Sequence, residues 1–170
     1  MLKLAGGVCV LLGAAVLGSS AAARLRSRVR ILTQLIDGLM YLEEELSFRL
    51  TPLPVILSSL SRQKTGRVGD FFNACLEGLR AQPLEGVRAS WRQAAEAHLD
   101  ILRDEERDAV LILGSTLGQY DGEGQRQSLE QSVERLKTFR QRAEEERARL
   151  GKVYTAVSLA AGAMVVIVLA

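Results

Sequence analysis

The residues of this chain that could carry out chemistry are few and far apart. There is one histidine, His98, and there are two cysteines, Cys9 and Cys75. Nucleophilic, acid–base and metal sites need such side chains together, or beside carboxylates at recognisable spacings, and neither cysteine has a base close by in the sequence. Cys75 stands between apolar residues, as packing cysteines do. The pattern therefore predicts no catalytic residue, no metal ligand and no cofactor.

Two glycine-containing segments have some features of ligand loops but lack the decisive residues. The segment 113–118, LGSTLG, has neither the lysine nor the spacing of a phosphate-binding loop. A calcium loop that began at Asp121 would place Arg126 where glycine is required and Ser132 where glutamate is required. We interpret Asp121 as the N-cap of a helix, with Glu123 favourably placed near the positive end of the helix dipole.

The charge balance argues against binding to nucleic acid. The chain has 22 Lys and Arg against 20 Asp and Glu. All of these charges except Lys3 lie between residues 24 and 152, so this segment is nearly neutral and has no large basic excess. Two cysteines cannot form a disulfide framework, and we expect both to be reduced, as in a domain that faces the cytoplasm.

Both ends of the chain are apolar and without charge. Residues 4–23 and 153–170 contain no Asp, Glu, Lys or Arg. About 20 residues of helix cross the roughly 30 Å hydrocarbon core of a lipid bilayer. The sequence therefore predicts a transmembrane helix over 4–23, a cytoplasmic helical-bundle domain over 24–152, and a second transmembrane helix over 153–170.

Basic residues flank both predicted spans on the side of the central domain. They are Arg24, Arg26, Arg28 and Arg30 after the first span, and Arg142, Arg147, Arg149 and Lys152 before the second. The positive-inside rule then places the domain in the cytoplasm of a two-span protein of the cell membrane, with both termini outside. An alternative stays open, because Lys3, the apolar run 4–17 and the small residues 19–23 also fit a cleavable signal peptide. The domain would then be extracellular.

Small residues four positions apart occur in both predicted spans. They are Ala14 and Gly18 in the first span and Ser158 and Gly162 in the second. Such pairs allow membrane helices to approach closely, so they are candidates for packing of the two spans against each other.

The central segment has the periodicity of helices and not of strands. Apolar residues at steps of three and four mark one face of the first cytoplasmic helix: Leu25, Val29, Leu32, Ile36, Leu39, Leu46 and Leu50. Thr51 and Pro52 are predicted to start the next helix as N-cap and first helical residue. A charged helix after the glycine-rich turn at 118–124 is predicted to run nearly unbroken into the second span. The fold class is all-α, a cytoplasmic bundle of about six helices flanked by N- and C-terminal transmembrane helices.

Glu43 falls on the apolar stripe, between Leu39 and Leu46. Such a glutamate usually lies at the edge of a core, and less often contacts a partner. Glu43 and the nearby Glu45 are therefore candidates for a bundle edge or for a partner contact.

The order of several segments resembles the stage III sporulation protein AB family of endospore-forming bacteria. The resemblance covers the whole chain and rests on these segments: MLKL at 1–4, the basic start at 24–30, YLEEEL at 41–46 before TPLP at 51–54, Trp91 in a helix with following alanines, and LGQYDGEGQ at 117–125. The last segment resembles the family most strongly. None of these segments is catalytic.

The resemblance implies a function that the spacing of residues does not show. The cytoplasmic domain of the family is similar to the inner-membrane platform protein of type II secretion and type IV pilus systems, which couples a cytoplasmic ATPase to membrane subunits. It implies a non-enzymatic adaptor in the channel between mother cell and forespore, with stage III sporulation protein AA as the ATPase. The platforms have two bundle domains and this chain has one, which suggests a homo-oligomer. The alternative is a membrane-anchored regulatory or binding module without a motor partner.

Overall fold

The computed structural model describes residues 2–81, 86–117 and 122–169, with the side chains of 23–81, 86–117, 124, 126–150 and 153. Over these residues it consists of six α-helices and contains no strand, so the all-α prediction is confirmed. The helices are α1 (Leu2–Ser47), α2 (Leu53–Gln63), α3 (Arg67–Ala81), α4 (Gly86–His98), α5 (Asp104–Thr116) and α6 (Gly122–Leu169). As predicted, α6 continues without a break through Gly151.

The chain divides into two compact units. One comprises residues 30–141 and contains α2 to α5 with parts of α1 and α6. The other comprises residues 1–29 and 142–170. In this second unit the guanidinium of Arg28 donates to a carboxylate oxygen of Glu146 at 3.0 Å. Only 8% of the Arg28 side chain is exposed, so this member of the basic cluster is paired inside the protein.

The apolar stripe of α1 is largely as predicted, with one correction at its end. Leu32, Ile36 and Leu39 are buried. Leu50 is not in the core: α1 ends at Ser47, and Leu50 is 81% exposed. The sequence pattern also missed Leu35 and Leu42, which are both fully buried because the core covers a wider arc of α1 than a narrow stripe.

The start of α2 differs from the prediction. Pro52, and not Thr51, occupies the cap position, and α2 has no side-chain hydrogen bond at its cap. The reason is that the hydroxyl of Thr51 donates instead to the carboxylate of Glu45 at 2.6 Å. A proline at the start of a helix costs little, because the first amides have no partner within the helix.

Aromatic residues of α3 and α4 form the centre of the bundle. Trp91, Phe71 and Phe72 are fully buried. The rings of Phe71 and Trp91 meet edge to face, with centroids 4.9 Å apart, a geometry that the quadrupoles of aromatic rings favour. The indole N–H of Trp91 donates to the carbonyl of Val110 at 2.8 Å, which satisfies its polar atom and joins α4 to α5.

The predicted spans lie on α1 and α6, at residues 4–23 and 153–170. Apart from Ala23 and Val153, their side chains lie outside the described residues. Within the part of the chain that is described, no helix is both long enough and apolar enough to cross a membrane.

Candidate protein-interaction site

The connection between α1 and α2 is held in place by one buried carboxylate. Glu45 is only 5% exposed. One of its oxygens accepts from the hydroxyl of Thr51 at 2.6 Å, and the other accepts from the guanidinium of Arg49 at 3.0 Å. The backbone amide of Thr51 also donates to the carbonyl of Glu45 at 3.0 Å. These bonds on both sides of residues 48–50 fix the path of the chain as it leaves α1.

Large apolar side chains of this connection are exposed. Phe48 is 73% exposed, Leu50 is 81% exposed, and Val55 in the first turn of α2 is 53% exposed. We call Phe48, Leu50 and Val55 the junction patch. Neighbouring exposed apolar side chains mark candidate sites of interaction, and these three lie between positions 48 and 55 of the chain.

The backbone at the junction patch is strained. Leu50 has φ 52°, in the left-handed region, and is the one residue other than glycine with positive φ in the described part of the chain. A β-carbon makes this conformation unfavourable by roughly 1–2 kcal/mol. Such strain persists only where the surrounding structure enforces it, and it occurs preferentially at functional sites. Here Leu50 lies between Arg49 and Thr51, whose side chains both donate to the carboxylate of Glu45.

Glu43 lies in different surroundings from Glu45. It is half-buried, and burial raises the pKa of its carboxyl group. The negative charge of Glu130 raises this pKa further, whereas the positive charges of Arg126 and Lys137 lower it. All three charges lie on α6, so Glu43 is close to the charged face of that helix. This is the environment of a bundle edge, and a partner contact at Glu43 stays a prediction.

The two glutamates therefore do not form one site. Residues two apart on a helix point about 200° from each other, and here one carboxylate is near α6 while the other holds the α1–α2 connection. Both oxygens of Glu45 are used within the chain.

The remaining candidates cannot be placed in this way. Asp121 lies outside the described residues. Ala14 and Gly18 lie on α1, and Ser158 and Gly162 lie on α6, but their side chains are also outside the described part. Packing of the two predicted spans thus remains a prediction.

The side chains that could take part in catalysis or metal binding do not come together in the part of the chain that the structure describes. No group of three or more His, Cys, Asp and Glu side chains that could hold a metal ion occurs there. Cys75 is 1% exposed, and burial raises the pKa of its thiol far above the ordinary value, so it does not form the reactive thiolate. His98 is half-buried as the last residue of α4.

Sequence reasoning missed the junction patch. The sequence pointed to exposed charge on the fourth to sixth helices as a contact surface, but it did not show which of those charged residues are exposed. The outer face of α4 borders an open groove of about 360 Å³, lined by Arg88, Ala89, Arg92, Gln93 and Glu96. On α5, Ile112 is 47% exposed. The sequence offered a signal for the end of α1 in Pro52 and Pro54, which follow Leu50 and do not favour a continuation of that helix.

Comparison with known proteins places the chain in a family. The family model described as stage III sporulation protein AB matches residues 3–170. A solved structure of "Stage III sporulation protein AB (SpoIIIAB)" has a similar fold, with a TM-score of 0.67 and 24% sequence identity. The match covers 72% of this chain and 98% of that one. No curated protein matches the chain.

Proposed function

Because this chain belongs to the stage III sporulation protein AB family, we propose that it is a structural adaptor of a sporulation channel between mother cell and forespore. In this proposal it couples a cytoplasmic ATPase, similar to stage III sporulation protein AA, to the membrane subunits of the channel. The family itself supports a role in sporulation. The proposed coupling role rests on the similarity of the family to secretion platforms, which we apply to this chain.

The junction patch is the observation that carries the proposal. An adaptor needs a surface on which a partner can act, and the patch offers exposed Phe48 and Leu50 on a connection that is fixed by Glu45. A fixed apolar surface binds with little loss of conformational entropy, so more of the contact energy is available for affinity. We assign the contact with the ATPase to this patch.

The membrane attachment is part of the proposal. The uncharged segments 4–23 and 153–170 would cross the bilayer as two spans, with the domain between them in the cytoplasm and both termini outside. Ala14, Gly18, Ser158 and Gly162 would support the packing of the spans.

The continuous helix α6 is the candidate element for transmission of movement. It contains residues of both compact units, and it has no break between Gly122 and Leu169. A helix without an interruption transmits a displacement along its axis, whereas a loop absorbs it. Proline at Glu144 or Arg147 would remove a backbone hydrogen bond and kink the helix. If cells that carry such variants in folded, normally expressed form sporulate as wild-type cells do, α6 does not transmit a movement that sporulation needs.

Exchange of the junction patch tests the proposed contact. The double variant Phe48→Ser/Leu50→Asn replaces both apolar side chains with polar ones, and asparagine tolerates the left-handed backbone conformation at position 50. The matched control is Met40→Ser, which removes an apolar side chain of α1 that is 48% exposed and outside the patch. We expect the double variant to lose the ATPase in affinity capture from sporulating cells, and the control to retain it. Equal recovery of the ATPase with both variants would remove the contact from this surface.

A further inference from the structure

Two arginines on the outer face of α4 have no ion-pair partner among the residues that the structure describes. Arg88 and Arg92 are exposed, lie one helical turn apart, and line the groove of about 360 Å³ together with Ala89. Like charges at this spacing destabilise a helix. Both side chains line this concave surface, where an acidic partner could reach them.

The outer face of α5 has the opposite charge. Glu105 and Asp108 are exposed and have no ion-pair partner in the described part of the chain, unlike Asp104, which pairs with Arg107 at 2.5 Å. Ile112 is one turn beyond Asp108, is 47% exposed, and lies on the same helical face. This face therefore combines two carboxylates that have no ion-pair partner among the described residues with one exposed apolar side chain.

We propose that the α4 face of one copy of this chain binds the α5 face of a second copy. Arg88 and Arg92 would meet Glu105 and Asp108, and Ile112 would enter the groove beside Ala89. The two arginines and the two carboxylates have opposite charge, and among the residues that the structure describes none of the four has an ion-pair partner. Glu96 also lines the groove, one turn beyond Arg92 and away from Arg88. The inference goes beyond coupling to an ATPase and does not depend on it, because the junction patch lies on the α1–α2 connection and the start of α2.

The contact joins two different surfaces, so every copy offers one of each. It closes as a two-fold pair, in which it occurs twice, or continues from copy to copy. In both arrangements, a chain with one altered face can still use its unaltered face to bind a copy whose matching face is intact.

Charge reversal of each face separately tests this contact. The α4 variant is Arg88→Glu/Arg92→Glu, and the α5 variant is Glu105→Lys/Asp108→Lys. The full-length chain is studied in mild detergent by sedimentation over a range of concentrations. We expect wild-type chains to associate, and each variant alone to associate at least about tenfold more weakly, because like charges would face each other across the contact. We expect an equimolar mixture of the two variants to associate again, because each then supplies the charges that the other requires.

A cysteine pair provides a second test that leaves the charges unchanged. Chains with Ala89→Cys are mixed with differently tagged chains with Ile112→Cys under mild oxidation, and the control mixture replaces Ile112→Cys with Met40→Cys. We expect a disulfide-linked pair of the two tags in the first mixture and not in the control. The proposal is overturned if the wild type is monomeric at all concentrations, if the charge-reversed variants associate as the wild type does, or if the two cysteine mixtures cross-link equally.

Discussion

A β-carbon at Gly114 would lie 2.2 Å from Cδ1 of Trp91, far inside the distance at which atoms can pack. The indole ring of α4 thus rests on the backbone of α5 at a position that only glycine permits. The contact explains Gly114, the first glycine of the LGSTLG segment: this glycine allows close packing of two helices and does not serve a phosphate site. The hydrogen bond from Trp91 to Val110, one turn earlier on α5, fixes the same ring.

Gly114→Ala should therefore destabilise the protein. Overpacking of a core costs about 1–3 kcal/mol, which exceeds the gain of about 1 kcal/mol from alanine in a helix. The upper part of that range is expected, since the opposing atoms belong to a rigid, fully buried ring. Thermal unfolding of the full-length chain in mild detergent measures the effect, with Ser115→Ala on the same helix as control. Unchanged thermal stability of Gly114→Ala would show that Trp91 is not held against α5.

Thr51→Val should destabilise the α1–α2 connection. Valine keeps the shape of threonine but removes the hydroxyl that donates to Glu45, and a buried carboxylate that loses a donor costs about 1–3 kcal/mol. Thr51→Ser retains the hydroxyl and serves as the control. Urea unfolding in the same detergent should rank wild type and Thr51→Ser together above Thr51→Val. Equal midpoints for the two variants would mean that the hydroxyl does not hold Glu45.

Leu50→Asn should raise stability and weaken partner binding at once. Asparagine tolerates the left-handed conformation, so the change relieves about 1 kcal/mol of strain at φ 52°. It also removes the most exposed side chain of the junction patch. Phe48→Asn is the control, because it removes exposed apolar surface without relief at position 50. A Leu50→Asn protein that unfolds at a lower temperature than the wild type would argue against the strained conformation.

The core of α1 could be predicted from the sequence, because Leu32, Ile36 and Leu39 repeat with the period of a helix and are buried. The same periodicity misplaced Leu50, since the stripe continues past the true end of the helix. The end depends on the bonds that Glu45 makes to Arg49 and Thr51, and periodicity carries no information about those partners. Likewise, nothing in the sequence indicated that Gly114 faces a tryptophan 23 residues earlier in the chain.

Glu43→Gln should stabilise the protein at neutral pH and not in acid. The folded state raises the pKa of Glu43 through burial and the charge of Glu130, so the ionised carboxylate is disfavoured in the fold. The penalty grows as the pH rises above the ordinary value of 4.5 towards the raised pKa, and it is small at pH 4, where the group is mostly protonated in both states. Melting temperatures of variant and wild type at pH 7 and pH 4 measure this. If the melting temperature of Glu43→Gln exceeded that of the wild type equally at both pH values, the gain would not come from the raised pKa of Glu43.

The most direct test of the adaptor role is affinity capture of the tagged, full-length protein from sporulating cells in mild detergent, with identification of the bound proteins by mass spectrometry. The capture is repeated with a non-hydrolysable ATP analogue and with ADP. The adaptor role predicts recovery of the ATPase together with other channel subunits, in amounts that depend on the nucleotide. Recovery of the intact chain without an ATPase, under conditions that preserve other membrane complexes, would contradict it and favour the regulatory module without a motor.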